Sequence, residues 1–187
     1  MDAQQNKEID LILCAKAGDK DAFGQLYDSY FKQIFRYVRL RCGVLQDAED
    51  IVEEVFIRAW NNLPSFKQHR EKNLFRAWLF RIAHNLLVDK FRKGDRLEPV
   101  EQVPEKIEND NRIETVIIRK DESVQMIEAV HRLDERMQQV IIARFGAELS
   151  HKETASMLHI SPANVRVIQY RALEKLRELL GKDTDEE

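Results

Sequence analysis

Two helix-start signals lie close together near the C-terminal end of the chain. Ser150 is followed three positions later by Glu153, the spacing of a capping box, and Ser161 is followed at once by Pro162. Serine is a preferred N-cap, and proline is favoured at the first position of a helix. The first helix must therefore end at a turn before Ser161. The spacing predicts a short helix, a tight turn and a second helix, which together form a helix-turn-helix.

The second of these helices has two different faces. One face repeats apolar residues at helical spacing: Val165, Ile168, Ala172, Leu173 and Leu176. A helix that buries this face can hold the opposite one rigidly in the major groove, where Arg, Asn and Gln pair with base edges. We predict DNA contacts from Ser161, Ala163, Asn164, Arg166, Val167, Gln169, Tyr170, Arg171 and Lys175. The alternative is an ordinary helical hairpin with a solvated basic face.

Helical periodicity extends over nearly the whole chain, and no segment alternates long enough to form a strand. It predicts helices over about 8–17, 21–42, 47–63, 73–93, 114–133 and 134–145, ahead of the helix-turn-helix. Residues 96–113 hold two prolines without periodicity, which is typical of a flexible linker. We therefore predict an all-α fold with two small helical domains, 1–95 and 114–182, a linker at 96–113 and an acidic tail at 183–187.

The charge is unevenly distributed although the net value is only −3. Residues 66–96 hold nine basic and three acidic residues, a net of +6, and residues 150–182 hold six and three, a net of +3. Residues 97–118 between them hold two basic and six acidic residues, a net of −4. Two basic blocks around an acidic connector indicate two separate contacts with nucleic acid.

Several classes of protein are not favoured by the composition. No apolar run is long enough for a membrane span, and the first residues lack the apolar core of a signal peptide, so we expect a cytoplasmic protein with no membrane insertion. The histidines and the two cysteines, Cys14 and Cys42, have no metal-ligand spacing, and both thiols are expected to be buried and reduced. The sequence contains no Walker loop and no paired nucleophile and base. We expect no enzymatic activity, cofactor or metal.

Two further segments carry a resemblance to a known family. Residues 47–60 read DAEDIVEEVFIRAW, with five acids in the first turns, and residues 75–85 read FRAWLFRIAHN amid basic side chains. They resemble the clamp-binding and promoter-melting segments of extracytoplasmic-function (ECF) sigma factors. The helix-turn-helix resembles the second conserved domain of the same family, which implies that its predicted DNA contacts read the −35 promoter element. The resemblance implies a four-helix sigma region 2-like domain followed by a sigma region 4-like domain.

The resemblance implies that the acidic helix docks on a coiled coil of the largest subunit of core RNA polymerase. The residues implied are Asp47, Glu49, Asp50, Glu53 and Glu54. A purely structural alternative is that acids at a helix start favour the macrodipole, which explains the first three better than the last two. The second domain is expected to contact the polymerase flap.

The resemblance also implies that residues 65–93 recognise the −10 promoter element and hold its open strand. Strand capture needs cations for the backbone and a platform for an unstacked base. The contacts implied are Phe66, Lys67, Arg70, Lys72, Asn73, Arg76, Arg81, Asn85, Lys90, Arg92 and Lys93. Trp78 is expected to pack in the core, whereas Phe66 fits either role. Melting would proceed by tighter binding of the open state and would consume no nucleotide.

Regulation and linker function are implied by the same resemblance. Family members are commonly held inactive by an anti-sigma factor, which we expect here as a partner. The acidic linker either mimics RNA in the polymerase channel or is a solvated tether. Three positions depart from the family pattern: Glu53 replaces a usual glutamine, Glu148 a usual glycine and Thr154 a usual aliphatic residue.

Two other functions compete with initiation. A DNA-binding regulator independent of polymerase would need a sensor or dimerisation domain, for which the first half shows no pocket or heptad signal. A helical adaptor that binds only proteins would show no salt-dependent affinity for DNA.

Overall fold

The computed structural model describes residues 3–42, 44–67, 74–92 and 124–182. The first group of helices is α1 (Ala3–Lys16), α2 (Lys20–Cys42), α3 (Leu45–Asn62) and α4 (Phe75–Arg92), with a single 3-10 turn at Leu63–Ser65. The second group is α5 (124–131), α6 (Glu135–Ile141), α7 (His151–Leu158) and α8 (Pro162–Lys182). A π-helical turn, Ile142–Gly146, extends α6. Within the described ranges the fold is all-α, as predicted.

Helix α2 is the centre of the first domain. It packs against α1, α3 and α4, and α3 also packs against α4. Its start is fixed by Asp19, whose carboxylate accepts hydrogen bonds from the backbone N–H groups of Asp21 and Ala22 at 2.9 and 3.0 Å. Its buried face includes Leu26, Ile34 and Tyr37. This face gives α3 and α4 a fixed position against a common neighbour.

The second domain is organised by its caps. Ser150 and Glu153 form the predicted capping box at the start of α7. Ser161 accepts a hydrogen bond from the Asn164 backbone N–H at 3.1 Å and so caps α8. His159 adopts a left-handed conformation, with φ of 54°, in the turn between the two helices. The structure thus confirms the predicted helix-turn-helix, and α8 also packs on α6.

The structure changes some details of the sequence-based description. Helix α1 begins near residue 3 instead of residue 8. Cys14 is exposed, whereas the prediction placed both thiols in the core, and only Cys42 is buried. None of the helices in the described ranges is long and apolar enough to cross a membrane. The predicted linker at 96–113 and the tail at 183–187 lie outside the described residues.

Two departures from the family pattern have visible structural consequences. Glu148 has a φ of 55°, in the left-handed region where glycine carries no penalty and an L side chain costs roughly 1 kcal/mol or more. Thr154 is fully buried on α7, and its hydroxyl has no hydrogen-bond partner. A buried hydroxyl without a partner loses its hydration without compensation. Both positions therefore carry a local cost.

Replacing Thr154 with valine should stabilise the protein. Valine keeps the branched shape and removes only the unsatisfied hydroxyl, so we expect a gain of about 1–2 kcal/mol in the free energy of unfolding. Urea unfolding followed by circular dichroism measures it. Thr154→Ala is the control, because it removes the hydroxyl but leaves a cavity and should gain less. A Thr154→Val protein less stable than the parent would show that the hydroxyl is satisfied.

Candidate functional site

The exposed face of α8 is held in position by its buried face. Val165 and Ala172 are fully buried, and Leu176 is 6% exposed. Gln169 lies between the two faces, half-buried, and accepts a hydrogen bond from Arg144 Nε at 3.1 Å. Arg144 also donates to the Leu149 carbonyl, so it links α6, the turn and α8. The orientation of α8 about its own axis is therefore fixed by a polar contact as well as by packing.

Most of the predicted −35 contacts share one solvent-facing surface. The exposed members are Ser161, Ala163, Asn164, Arg166, Val167, Tyr170, Arg171 and Lys175. Two of them are large and apolar: Val167 is 48% exposed and Tyr170 is 66% exposed. Gln169 differs from the prediction, because its amide oxygen is engaged by Arg144 and does not belong to the open surface.

The acidic residues of α3 divide into free and paired groups. Glu49, Asp50 and Glu53 are exposed. Asp47 instead forms a salt bridge with Lys90 of α4 at 2.8 Å, and Glu54 accepts from Arg58 Nε at 2.6 Å. The two paired acids therefore contribute to the first domain's own structure, and the three free ones form the acidic surface available to a partner.

An aromatic groove beside these acids was not anticipated from the sequence. It lies between α2 and α3, with a volume of about 710 Å³, and Glu49 and Glu53 stand at its edge. Its apolar lining consists of Phe23, Tyr27, Phe31, Phe35, Val52, Phe56, Ile57 and Trp60. The sequence did hold a signal: Tyr27, Phe31 and Phe35 recur every four residues, beside the stripe that packs α2 in the core. Acidic side chains at the edge of a partly exposed aromatic groove are typical of a protein-binding surface.

Two of the predicted −10 contacts face the second domain. Arg76 of α4 donates to the carbonyl oxygens of Ala147 and Glu148 at 2.8 and 3.3 Å. It also lies 3.4 Å from the carboxylate of Glu153. Arg81 donates from Nη2 to the backbone oxygen and the hydroxyl of Ser156, at 2.8 and 2.7 Å. In this arrangement both guanidinium groups donate to protein acceptors, although the buried Nε of Arg81 has no hydrogen-bond partner.

The other predicted −10 contacts are scattered. Phe66, for which both roles were open, is 7% exposed in this arrangement, and its ring packs on Phe75 and Trp78 with centroids 5.6 and 4.8 Å apart. Trp78 packs as expected. Lys90 is engaged by Asp47. Lys67, Asn85 and Arg92 are exposed. The remaining predicted contacts, Arg70, Lys72, Asn73 and Lys93, lie outside the described residues.

The two halves of the chain match two different sequence families. Residues 26–97 match Sigma-70 region 2, and residues 129–178 match Sigma-70, region 4. The chain is 34% identical to the ECF RNA polymerase sigma factor BldN of Streptomyces coelicolor over 185 residues, 97% of this chain and 69% of BldN. It is 30% identical to the ECF RNA polymerase sigma factor SigW of Bacillus subtilis, over 88% of this chain and 92% of SigW.

The chain belongs to the ECF sigma factors. Such proteins are non-enzymatic initiation factors that bind core RNA polymerase and direct it to promoters. The fold agrees with this membership, since the solved structure of CnrH in complex with the cytosolic domain of CnrY superposes with a TM-score of 0.73. That comparison covers 95% of this chain and 99% of CnrH at 26% identity. No cluster of potential metal ligands is present among the described residues of this sigma factor.

A buried histidine of the sigma factor lies where its two domains meet. His84 of α4 is 7% exposed, and its Nδ1 lies 3.3 Å from the Tyr37 hydroxyl. Burial lowers the pKa of His84 to about 4, with smaller contributions from the charges of Arg41, Arg136 and His159. Arg136 and His159 belong to the second domain, so the neutral form of His84 is favoured by groups on both sides.

The stability of this sigma factor should fall when His84 becomes protonated in the unfolded chain. The pKa of His84 is depressed from 6.5 to about 4 in the folded state, so the loss begins as pH drops below about 6.5 and continues to about 4. Between pH 7 and pH 5 this group should cost about 2 kcal/mol. Urea unfolding of the parent and of His84→Asn at both pH values measures it. The inference is wrong if the two proteins lose equal stability.

Proposed function

We propose that this sigma factor docks on the polymerase through the aromatic groove and the free acids of α3. Glu49, Asp50 and Glu53 would meet basic residues of a coiled coil, and the groove would bury apolar side chains of the same partner. Steering by the acids favours encounter, while burial in the groove slows dissociation. The combination supports a single helical partner with a mixed basic and apolar face, which is the chemistry expected of the largest-subunit coiled coil.

The −35 element would be read by the exposed face of α8. Arg166, Asn164 and Arg171 supply hydrogen bonds to base edges or phosphates, because all three are exposed beside a rigid buried face. Val167 and Tyr170 supply apolar contacts, for which the thymine methyl group is the counterpart in the major groove. The free acids lie on α3 and the exposed arginines lie on α8. This separation is the observation that supports polymerase docking by α3 and promoter recognition by α8.

The −10 element would be engaged by α4 and the loop before it. Asn85, Arg92 and Lys67 are exposed in the described structure, and Arg70, Lys72, Asn73 and Lys93 extend the same basic block in sequence. Arg76 and Arg81 belong to this set once they are released from the second domain. We propose domain limits of 1–95 and 114–182 with the linker between them.

The second domain offers a further docking surface for the polymerase. An apolar groove of about 470 Å³ is lined by residues that include Met126, Val130, Phe145 and Leu176 of this domain, together with Leu40 of α2. Met126 is 44% exposed and Phe145 is 51% exposed, so apolar surface is available for burial. We assign this groove to the polymerase flap.

Control by an anti-sigma factor completes the proposal. CnrH is held in a complex with the cytosolic domain of CnrY, and this chain resembles CnrH over almost its full length. A protein partner that covers the polymerase-facing grooves would keep the sigma factor inactive in the cytoplasm. Co-purification of the tagged chain with a second protein, and loss of promoter activity when that protein is added back, tests this part.

The division of labour can be tested with two kinds of substitution. Glu53→Arg places a cation at the edge of the aromatic groove and should weaken binding to core polymerase by about tenfold. Asp10→Arg is the matched charge reversal on α1 and should leave core binding unchanged. Arg166→Ala and Arg171→Ala should each weaken promoter binding by the equivalent of about 1–3 kcal/mol while core binding is retained. Co-elution with core polymerase and promoter-dependent transcription are the readouts. Identical defects from both kinds of substitution would contradict the proposal.

We predict that Val167 and Tyr170 contact thymine methyl groups of the −35 element. Holoenzyme is used to select bound duplexes from a randomised pool, and each thymine of the selected −35 element is then replaced by uracil, which lacks only the methyl group. Loss of a methyl that contacts Val167 or Tyr170 should weaken binding about fourfold. In Val167→Ala, sensitivity at the thymine facing Val167 should disappear. Equal binding of all substituted duplexes by the parent protein would exclude methyl readout.

A further inference from the structure

The two domains are joined by a set of arginines that all belong to the first domain. Besides Arg76 and Arg81, Arg36 lies 3.8 Å from the carboxylate of Glu148, and Arg41 lies 3.9 Å from that of Glu135. Arg76 is further oriented by Gln33, which accepts from its Nε at 3.0 Å. Two helices of the first domain, α2 and α4, therefore present cations to acceptors on the second domain.

The contact is also close-packed. Helix α4 packs against α7, and α2 packs against the π-helical turn. A Cβ atom added to Gly146 would lie 2.7 Å from Leu40 Cδ1, so the turn approaches α2 closely enough that a larger residue would force Leu40 to move. The buried apolar residues of both domains form one continuous cluster. The two domains are therefore held together by close packing and by hydrogen bonds.

The acceptors on the second domain resemble those that nucleic acid would offer. Arg76 and Arg81 bind carbonyl oxygens, a hydroxyl and a carboxylate, and DNA presents phosphate oxygens and base acceptors to the same donors. A guanidinium has five N–H donors in a rigid plane, so the donors used for the second domain are not available to DNA at the same time. Arg76 and Arg81 therefore cannot make their full set of hydrogen bonds with the second domain and with DNA at the same time.

We infer that the second domain and promoter DNA compete for Arg76 and Arg81, so that the closed arrangement is a self-inhibited form of the free chain. This rests on the proposed −10 role of α4. Promoter binding requires the domains to separate, because the −10 and −35 elements are distinct sites along the DNA whereas α4 and α7 are in contact here. Binding to polymerase and DNA supplies the differential affinity that favours the open form.

Arg41 indicates that closure carries a cost. Its side chain is 2% exposed, its Nε has no hydrogen-bond partner, and the carboxylate of Glu135 lies at the outer limit of a salt bridge. Its guanidinium carbon also lies 5.3 Å from the centroid of the Phe91 ring. A buried guanidinium satisfied only in part regains hydration when the domains separate. The closed form is therefore stabilised by the hydrogen bonds of Arg76 and of Arg81 Nη2 and opposed by the buried, unpaired Nε atoms of Arg41 and Arg81.

A reversible cross-link tests the inference. In Arg36→Cys/Glu148→Cys the two thiols are exposed on opposite sides of the contact, where the native side chains lie 3.8 Å apart, and neither position is assigned to DNA or polymerase. A bifunctional thiol reagent with an internal disulfide bridges them. The native thiols are removed by Cys14→Ser and Cys42→Ala. We expect this reagent to cross-link the two domains within a single free chain. Promoter-dependent transcription with core polymerase should fall by about tenfold or more on cross-linking and return on reduction.

Each outcome of this test has a separate meaning. A folded chain that does not cross-link, or a cross-linked chain that initiates as well as its reduced form, overturns the inference. A reduced chain that cannot initiate, although it is folded, argues instead against the proposed function.

A substitution that separates the two domains complements the cross-link, which holds them together. Glu148→Arg brings a cation to Arg36 and Arg76 without altering any residue assigned to DNA or polymerase. Glu128→Arg, an exposed charge reversal on α5, is the matched control. We expect Glu148→Arg to enlarge the free chain in solution scattering and to raise the affinity of the free chain for a single-stranded −10 oligonucleotide several-fold over Glu128→Arg. Equal size and equal affinity in the two variants would refute competition.

Discussion

Helix α4 packs in the core of the first domain and also contacts the second domain, and the rest of the structure depends on this double contact. Its residues Leu79, Phe80 and Leu87 are fully buried, while Arg76 and Arg81 reach the second domain. An 18-residue helix with so much of its surface covered leaves few side chains free for DNA. The position of the −10 surface, the burial of His84 and the contact between the domains all depend on how α4 is packed.

Local signals in the sequence were sufficient for the helices but not for the faces they present. Asp19, Ser150 and Ser161 act as caps through hydrogen bonds to neighbours within three residues, so their role can be predicted without tertiary structure. The family pattern also pointed to Glu148 and Thr154 as unusual. A left-handed backbone and an unsatisfied hydroxyl at these positions give that observation a physical basis.

The residues whose surroundings differ from those predicted at the candidate site have a feature in common. Phe66, Gln169 and Lys90 were assigned to binding surfaces from residue type and position, but each is engaged by a partner distant in sequence. The aromatic groove was missed for the same reason, since its floor is assembled from α2 and α3 together. Helical periodicity identifies one buried stripe for each helix and says nothing of a second stripe that two helices complete jointly. Membership of the family gave the correct function although these contacts could not be predicted.

The bond between Arg144 and Gln169 ties the promoter-reading helix to the apolar groove of the same domain. Arg144 lies within the π-helical turn, and Ile142 and Phe145 of that turn line the groove. A protein seated in the groove that displaced the turn would pull on Gln169 and rotate α8 about its axis. Successive residues of a helix point in directions about 100° apart, so even a modest rotation changes which side chains face the bases. Base selectivity at the −35 element would then be a property of the sigma–polymerase assembly and not of α8 alone.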